Sequence, residues 1–207
     1  MKKIFSLILV LLLSVVLFSA CSNEGNEENK ESNAVEENTQ VNLETEENNE
    51  GEKAEDEEIK EGIFPGNIAY DFTLLDKEGN EISLSSLREK VVFLNFWASW
   101  CGPCQAEMPH MQKVYEEYKD KDVVILAVNL TLSERGGIEG VNSFLEENKY
   151  TFPVLYDSDE DQSVGEKYRV SSIPTTYIIN KEGIIVNRLA GAMNEEMIKE
   201  QIELGME

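Results

Sequence analysis

The strongest constraint on the fold is a pair of cysteines placed where an apolar strand leads into a helix. Residues 91–96 read Val-Val-Phe-Leu-Asn-Phe, a nearly continuous apolar run that is typical of a strand buried on both faces of a sheet. Cys101 and Cys104 follow this run closely. Beyond them, spacings of three and four predict one apolar face of a helix, formed by Met108, Met111, Tyr115 and Tyr118. Both cysteines are therefore predicted at the start of a helix that leaves a buried strand.

This position gives the two sulfurs different predicted roles. Cys101 would lie at the helix entrance, where free N–H groups and the macrodipole favour a negative charge, so its thiolate should have a pKa below the roughly 8.5 of a free cysteine. Pro103 suits the first turn because the N–H that it lacks would have no helical partner. Cys104, one turn deeper, should be shielded. We expect Cys101 to attack a disulfide and Cys104 to resolve the mixed disulfide.

Resolution requires a group that takes the proton of the Cys104 thiol. Glu107, three residues later on the same predicted helix, is the nearest candidate by spacing. The alternative interpretation is an ordinary surface glutamate. Asn95, in the apolar strand, cannot accept this proton.

The N-terminal residues have the pattern of an export signal with a lipid-attachment site. Two lysines precede the apolar run of residues 4–18, which is shorter than the roughly 20 residues that span a bilayer and matches the apolar region of a signal peptide. Residues 17–21 (Leu-Phe-Ser-Ala-Cys) resemble a bacterial lipobox. This resemblance predicts a signal peptide over residues 1–20 and lipidation of Cys21. An uncleaved signal anchor with a free Cys21 is the alternative, and both place the rest of the chain on the extracytoplasmic face of the membrane.

A highly acidic segment follows the lipobox. Residues 22–62 are dominated by Glu and Asn and contain no aromatic residue, a composition that cannot bury enough apolar surface to order the chain. We therefore predict that residues 21–62 combine the lipidated cysteine with a disordered acidic tether. The net charge of −23 also makes nucleic acid an unlikely class of partner, because the chain should repel phosphate.

Residues 63–207 are predicted to form one α/β domain. Apolar runs, turn residues and helical spacing alternate along this part of the chain, which indicates a mixed central β-sheet flanked by helices. The predicted strands are residues 72–75, 81–84, 91–96, 123–128, 152–156, 175–179 and 184–189. The predicted helices are the run after Cys104, residues 141–149 and residues 195–204.

Three motifs resemble one known family in order and spacing. Residues 100–104 (Trp-Cys-Gly-Pro-Cys) are the thioredoxin active-site string. Residues 101–109 follow the pattern Cys-x-x-Cys-x-x-Glu-x-Pro, which resembles the TlpA/ResA-like branch of membrane-bound extracytoplasmic thioredoxins. Residues 172–176 (Ser-Ile-Pro-Thr-Thr) resemble the cis-proline loop of that family. The resemblance implies a thioredoxin-like fold with an N-terminal β-hairpin and a central βα insertion around residues 131–156.

The same resemblance implies site residues and partners. Asn95 stands where thioredoxin itself carries a buried Asp, which favours Glu107 as the proton acceptor. The implied substrates are disulfides of exported proteins, notably apocytochrome c, and the implied electron donor is a CcdA-like membrane thiol protein. No cofactor is expected beyond the redox-active disulfide Cys101–Cys104. Substrate contacts are expected from residues around the cysteines and from the cis-proline loop, namely Trp100, Gly102, Pro103, Ile173, Pro174 and Thr175, with Trp97 packed in the core.

Three other interpretations stay open at this point. A disulfide oxidase or isomerase would use the same cysteines, although Gly-Pro between them resembles thioredoxin and favours a reducing potential. A thiol peroxidase of the AhpC/TSA type would usually have Thr three residues before its reactive cysteine, where this chain has Ala98. A zinc site would need two more ligands, and His110 is the one soft candidate, so no metal is expected.

Overall fold

The computed structural model describes residues 59–160 and 163–207. The signal peptide predicted over residues 1–20, the lipidation of Cys21 and the tether up to residue 58 lie outside the described residues. Within the described ranges, no helix is long and apolar enough to cross a membrane.

The described residues form nine strands and four α-helices. The strands are β1 (Glu61–Gly62), β2 (Ile68–Ala69), β3 (Thr73–Asp76), β4 (Glu81–Ser83), β5 (Val91–Trp97), β6 (Val123–Asn129), β7 (Val154–Tyr156), β8 (Thr175–Ile179) and β9 (Ile185–Ala190). The α-helices are α1 (Gly102–Tyr118), α2 (Gly137–Asn148), α3 (Val164–Lys167) and α4 (Glu195–Met206), and 3₁₀ turns occupy Leu84–Leu87 and Thr131–Ser133.

Seven of these strands form one mixed sheet in the order β4-β3-β7-β6-β5-β8-β9. Strands β5, β6 and β7 are parallel to one another, whereas β8 runs antiparallel to β5 and β3 runs antiparallel to β7. The predicted mixed α/β sheet is therefore confirmed, as are the N-terminal hairpin β3–β4 and the insertion, which supplies α2 and β7. A separate two-stranded pair joins β1 to β2.

Strand β5 is central and divides the core into two apolar clusters. All seven of its residues are buried, as expected for a strand covered on both faces. Phe93 and Trp97 point into the cluster that contains α1 and α4, whereas Leu94 and Phe96 point into the opposite cluster around Tyr168. This alternation follows from the two-residue period of a strand. The active-site loop follows directly at the carboxyl end of this central strand, between Trp97 and the start of α1 at Gly102.

Several element boundaries differ from the prediction for local reasons. Helix α2 begins at Gly137 rather than at residue 141; the pair Gly136–Gly137 looks like a helix breaker in sequence but forms the start of the helix. Strand β7 begins at residue 154, two residues late, although the carbonyl of Pro153 still accepts the Ala127 N–H. Strand β1 occupies Glu61–Gly62, the last residues assigned to the tether, because pairing with β2 orders them.

Candidate active site

Cys101 and Cys104 are joined by a disulfide at the start of α1. The helix begins at Gly102, and Cys101 is its N-cap, with its sulfur accepting a hydrogen bond from the Cys104 N–H at 3.2 Å. Cys104 is 1% exposed and Cys101 is 5% exposed, whereas Gly102 and Pro103 between them are exposed. The remaining access to the disulfide is therefore through Cys101, at the end of the helix where N–H groups converge.

The loop before β8 lies against Cys101. Its Ile173–Pro174 peptide bond is cis, and the Ile173 carbonyl oxygen is 3.6 Å from the Cys101 sulfur. Thr175 begins β8 and pairs with Phe96 of β5, while its hydroxyl donates to the Ser172 carbonyl at 2.7 Å. The loop reaches the disulfide because β8 is the direct neighbour of the strand that leads into α1.

Glu107 is buried, so the interpretation as a surface glutamate is wrong. The side chain is 1% exposed, and its two carboxylate oxygens accept hydrogen bonds from the Asn95 amide and the Met193 N–H, each at 3.0 Å. Burial raises the pKa of Glu107 to about 7, an effect that these two hydrogen bonds only partly offset. Near neutral pH this carboxyl group can therefore both accept and release a proton.

Asn95 connects Glu107 to the strand next to the disulfide loop. Its side-chain nitrogen donates to the Glu107 carboxylate and also to the Thr176 hydroxyl, both at 3.0 Å. Thr176 faces Asn95 across the β5–β8 ladder. Asn95 and Glu107 were predicted from the sequence as parts of the proton-transfer site, whereas Thr176 and Met193 were not. Met193 contributes only its backbone N–H, for which no side-chain pattern could give a signal.

The two tryptophans occupy the environments predicted for them. Trp97 is fully buried and packs against Phe144 with ring centroids 5.8 Å apart. Trp100 is 56% exposed beside Cys101, and its indole N–H donates to the Ser133 carbonyl at 3.0 Å. The indole therefore has one fixed polar edge and a free apolar surface near the disulfide.

A carboxylate from the insertion binds the active-site loop and was not found from the sequence. Glu134 accepts hydrogen bonds from the N–H and the hydroxyl of Ser99, each at 2.5 Å. The two residues are far apart in the chain and meet only because β5 and β6 are adjacent, so spacing carried no signal.

Metal ligation has no support in the part of the chain that the structure describes. No group of three or more His, Cys, Asp or Glu side chains is arranged there to hold an ion. The two active-site sulfurs are bonded to each other, and His110 lies half-buried on α1. That the site works without a metal or cofactor stays a prediction.

Comparison with known proteins assigns this arrangement to a family. A family model described as the AhpC/TSA family matches residues 65–188, more than half of the chain. The thiol-disulfide oxidoreductase ResA of Bacillus subtilis strain 168 is 41% identical over 145 residues, which are 70% of this chain and 78% of that protein.

Solved structures of thioredoxin-like proteins have the same fold. A putative thiol:disulfide interchange protein DsbE from Chlorobium tepidum aligns with a TM-score of 0.61 and 31% identity, over 70% of this chain and 99% of that chain. The exposed lipoprotein thioredoxin of Streptococcus pneumoniae strain TIGR4 aligns with a TM-score of 0.56 and 31% identity, over 65% and 98%. This chain therefore belongs to the AhpC/TSA family, and within it the protein is a ResA-like thiol–disulfide oxidoreductase with a thioredoxin-like fold.

Proposed function

We propose that this oxidoreductase is tethered to the extracytoplasmic face of the membrane and reduces disulfides in exported proteins such as apocytochrome c. The observation that carries this proposal is the disulfide Cys101–Cys104 at the start of α1, with the cis-Pro174 loop against its outer sulfur. A sulfur in this position has access to a polypeptide disulfide, and its partner lies within bonding distance for resolution.

The reaction begins with the reduced pair. The thiolate of Cys101, stabilised by the helix start and by the Cys104 N–H, attacks one sulfur of the substrate disulfide. A mixed disulfide forms and the first substrate thiolate leaves. The deprotonated Cys104 sulfur then attacks Cys101, which forms the intramolecular disulfide and releases the second substrate thiolate. Two electrons pass from the cysteine pair to the substrate, and the structure corresponds to the oxidised product.

Glu107 is the proposed proton acceptor for Cys104. Glu107 is the third residue after Cys104 on α1, so both side chains lie on the same face of the helix. A pKa of about 7 leaves a large fraction of Glu107 ionised at neutral pH and able to take the thiol proton. A glutamate of ordinary pKa would be a weaker base at the same position.

Substrate binding is proposed at the surface around Cys101. The Ile173 carbonyl can accept a backbone N–H of an extended polypeptide, and the exposed face of Trp100 can pack on its side chains. Gly102 and Pro103, both exposed, complete the proposed contact set. Thr175, predicted from the sequence as a further contact, is 2% exposed and donates its hydroxyl to the Ser172 carbonyl, so in this structure it supports the loop. A CcdA-like membrane thiol protein would return the pair to its reduced form through the same exchange chemistry.

The lipobox-like residues ending at Cys21 support the proposed location. The similar Streptococcus pneumoniae protein is described as an exposed lipoprotein. Labelling cells with a radioactive fatty acid should label this chain, and Cys21→Ala should lose the label. A chain that stays on the membrane without label would support the uncleaved signal anchor.

Trapping tests the proposed attack and resolution. A Cys104→Ala variant should accumulate mixed disulfides with exported proteins in cells, because the resolving sulfur is absent, and mass spectrometry identifies the captured proteins. The matched control Cys101→Ala/Cys104→Ala should capture none. Adducts that persist in the control, or that form through Cys104 in a Cys101→Ala variant, would reverse the assignment of the attacking sulfur.

The direction of electron flow is tested by the reduction potential of the pair. Equilibration with glutathione should give a potential in the reducing range of thioredoxin, about −270 mV. A value near about −120 mV, typical of a strong oxidant, would replace the reductase proposal with a disulfide oxidase or isomerase.

The AhpC/TSA description of the family keeps a thiol peroxidase as the second candidate. The Ala98 side chain, three residues before Cys101, has no hydroxyl to activate a peroxide and is fully buried. A Cys104→Ala variant should therefore consume hydrogen peroxide no faster than an ordinary thiol. Rapid consumption that depends on Cys101 would favour the peroxidase.

A further inference from the structure

The carboxylate of Glu134 is the centre of a hydrogen-bond cluster beside the active-site loop. It accepts the N–H and the hydroxyl of Ser99 at 2.5 Å and the side-chain N–H of Asn129 at 2.8 Å. Hydrogen bonds to an ionised acceptor are stronger and more strictly oriented than neutral ones. Three donors on one carboxylate therefore fix its position and that of Ser99.

The cluster is anchored to the central sheet. Asn129 is fully buried at the end of β6, where it pairs with Trp97 of β5. The Thr131 hydroxyl donates to the Asn129 side-chain oxygen at 3.0 Å, which orients the amide so that its nitrogen faces Glu134. Glu134 thus connects the disulfide loop to a rigid part of the fold.

The same segment also holds the indole of Trp100. Ser133, next to Glu134, accepts the Trp100 indole N–H at 3.0 Å. On the other side, the Gln105 side chain of α1 donates to the Ser99 carbonyl at 2.5 Å. The N–H, the hydroxyl and the carbonyl of Ser99 are therefore all hydrogen-bonded. Trp100 is fixed both by the bonded Ser99 that precedes it and by the hydrogen bond of its own indole ring.

Two large apolar side chains remain exposed on the segments that this cluster joins. Trp100 is 56% exposed and Leu132 is 50% exposed. An exposed aromatic ring that is already ordered loses less conformational entropy when it binds a partner. The chemistry suits a polypeptide whose disulfide is flanked by apolar side chains, whereas a small polar disulfide offers nothing for these surfaces to contact.

We propose that Glu134 is a positioning residue that orders Ser99 and Trp100 for docking of a polypeptide disulfide. The proposal rests on the proposed reductase function. Glu134 lies in the segment between β6 and α2, so the insertion of this branch supplies part of the docking surface in addition to a strand and a helix. Glu134 takes no part in the electron exchange between the sulfurs.

Steady-state kinetics of the full-length protein separate docking from chemistry. Glu134→Ala should raise KM about tenfold for a peptide disulfide with apolar flanking residues and leave kcat nearly unchanged. With glutathione disulfide, both constants should stay within about twofold of the wild type. Glu139→Gln, an exposed charge change on α2, is the matched control and should alter neither.

Motion of the indole provides a readout that does not depend on activity. In a Trp97→Phe background, Trp100 is the single tryptophan of the chain, and its fluorescence anisotropy should fall when Glu134 is replaced by Ala. Ser99→Ala removes one of the three donors and should give an intermediate value. Because Glu134→Ala and Ser99→Ala disturb the same cluster separately, the test still works if one of the two variants fails to fold.

The outcomes distinguish this proposal from the proposed function. If the wild type reduces both disulfides and Glu134→Ala has unchanged KM and anisotropy, the positioning role is wrong. Equal losses with both substrates would also overturn it, since they would indicate a general structural role. If the wild type reduces neither disulfide while Trp100 still loses anisotropy in Glu134→Ala, the reductase function fails and the local geometry stands.

Discussion

The buried carboxyl group of Glu107 should make the stability of the fold depend on pH. Its pKa is raised from 4.5 to about 7, because burial disfavours the ionised form. Below pH 4.5 the group is protonated in both the folded and the unfolded chain. Between pH 4.5 and 7 the unfolded chain loses this proton first, so stability falls, and above pH 7 the full penalty is present. The pKa difference corresponds to about 3 kcal/mol.

Glu107→Gln removes this titration while keeping the shape of the side chain. The new amide can be accommodated if the side-chain amide of Asn95 flips. The Asn95 side-chain oxygen then accepts hydrogen bonds from the introduced Gln N–H and from the Thr176 hydroxyl. The variant should therefore gain stability relative to the wild type as pH rises. We expect the free energy of unfolding of Glu107→Gln, relative to that of the wild type, to increase by about 3 kcal/mol between pH 4.5 and pH 8.5.

Urea unfolding of the oxidised proteins at both pH values measures this change. The difference between two pH values cancels any pH-independent packing effect of the substitution, and the disulfide keeps both cysteines from titrating. Glu139→Gln, an exposed carboxylate of α2, serves as the control and should show almost no pH-dependent difference. A Glu107→Gln difference that is the same at both pH values, or that shrinks as pH rises, would refute the buried-carboxylate argument.

Three further substitutions test separate parts of the structure. Asn95→Asp places a second carboxylate about 3 Å from Glu107, and the like charge should raise the pKa of Glu107 further. The midpoint of the pH–rate profile for resolution, measured by stopped flow, should therefore move above about 7. An unchanged midpoint would contradict the proton-acceptor role. Trp100→Ala should lower the free energy of unfolding by less than about 1 kcal/mol but raise KM for a peptide disulfide, and a large loss of stability would show that the ring is structural. Gly205→Ala should destabilise by about 1–3 kcal/mol despite better helix propensity, because its Cβ would lie 2.6 Å from buried Val91; urea unfolding that shows a gain would mean the helix can shift.

The elements of the fold were predictable wherever the pattern was local. Residues 175–179 were predicted as a strand and form β8 with the same bounds, because five apolar or β-branched residues follow a proline and precede a turn. Helix α3 was missed because four residues are too short to show a period. Its ordering depends on buried Asp157, whose carboxylate accepts the N–H groups of Val164 and Gly165 at 3.0 and 2.8 Å.

The site was predictable in its chemistry and only partly in its surroundings. Cys104 and Glu107 lie on α1 and Cys101 is its N-cap, so their spacing alone indicated a common position. The raised pKa of Glu107 depends instead on burial by distant elements, including the Met193 backbone before α4. Glu134 likewise reaches Ser99 only through strand pairing, and such contacts have no signature in a single sequence.

The residues proposed for proton transfer and those proposed for substrate docking belong to separate hydrogen-bond clusters in this fold. The proton cluster contains Glu107, Asn95, Thr176 and Met193, whereas the docking cluster contains Ser99, Glu134, Asn129, Trp100 and Gln105, and the two share no residue. Substitutions in separate clusters without shared partners add within about 0.5 kcal/mol. The effects of Glu107→Gln and Glu134→Ala on the logarithm of kcat/KM for a peptide disulfide should therefore add in the double variant. A larger coupling energy would mean that movement of the Ser99 loop reaches Cys104 and its proposed proton acceptor Glu107 through the start of α1. Docking and resolution would then be one event.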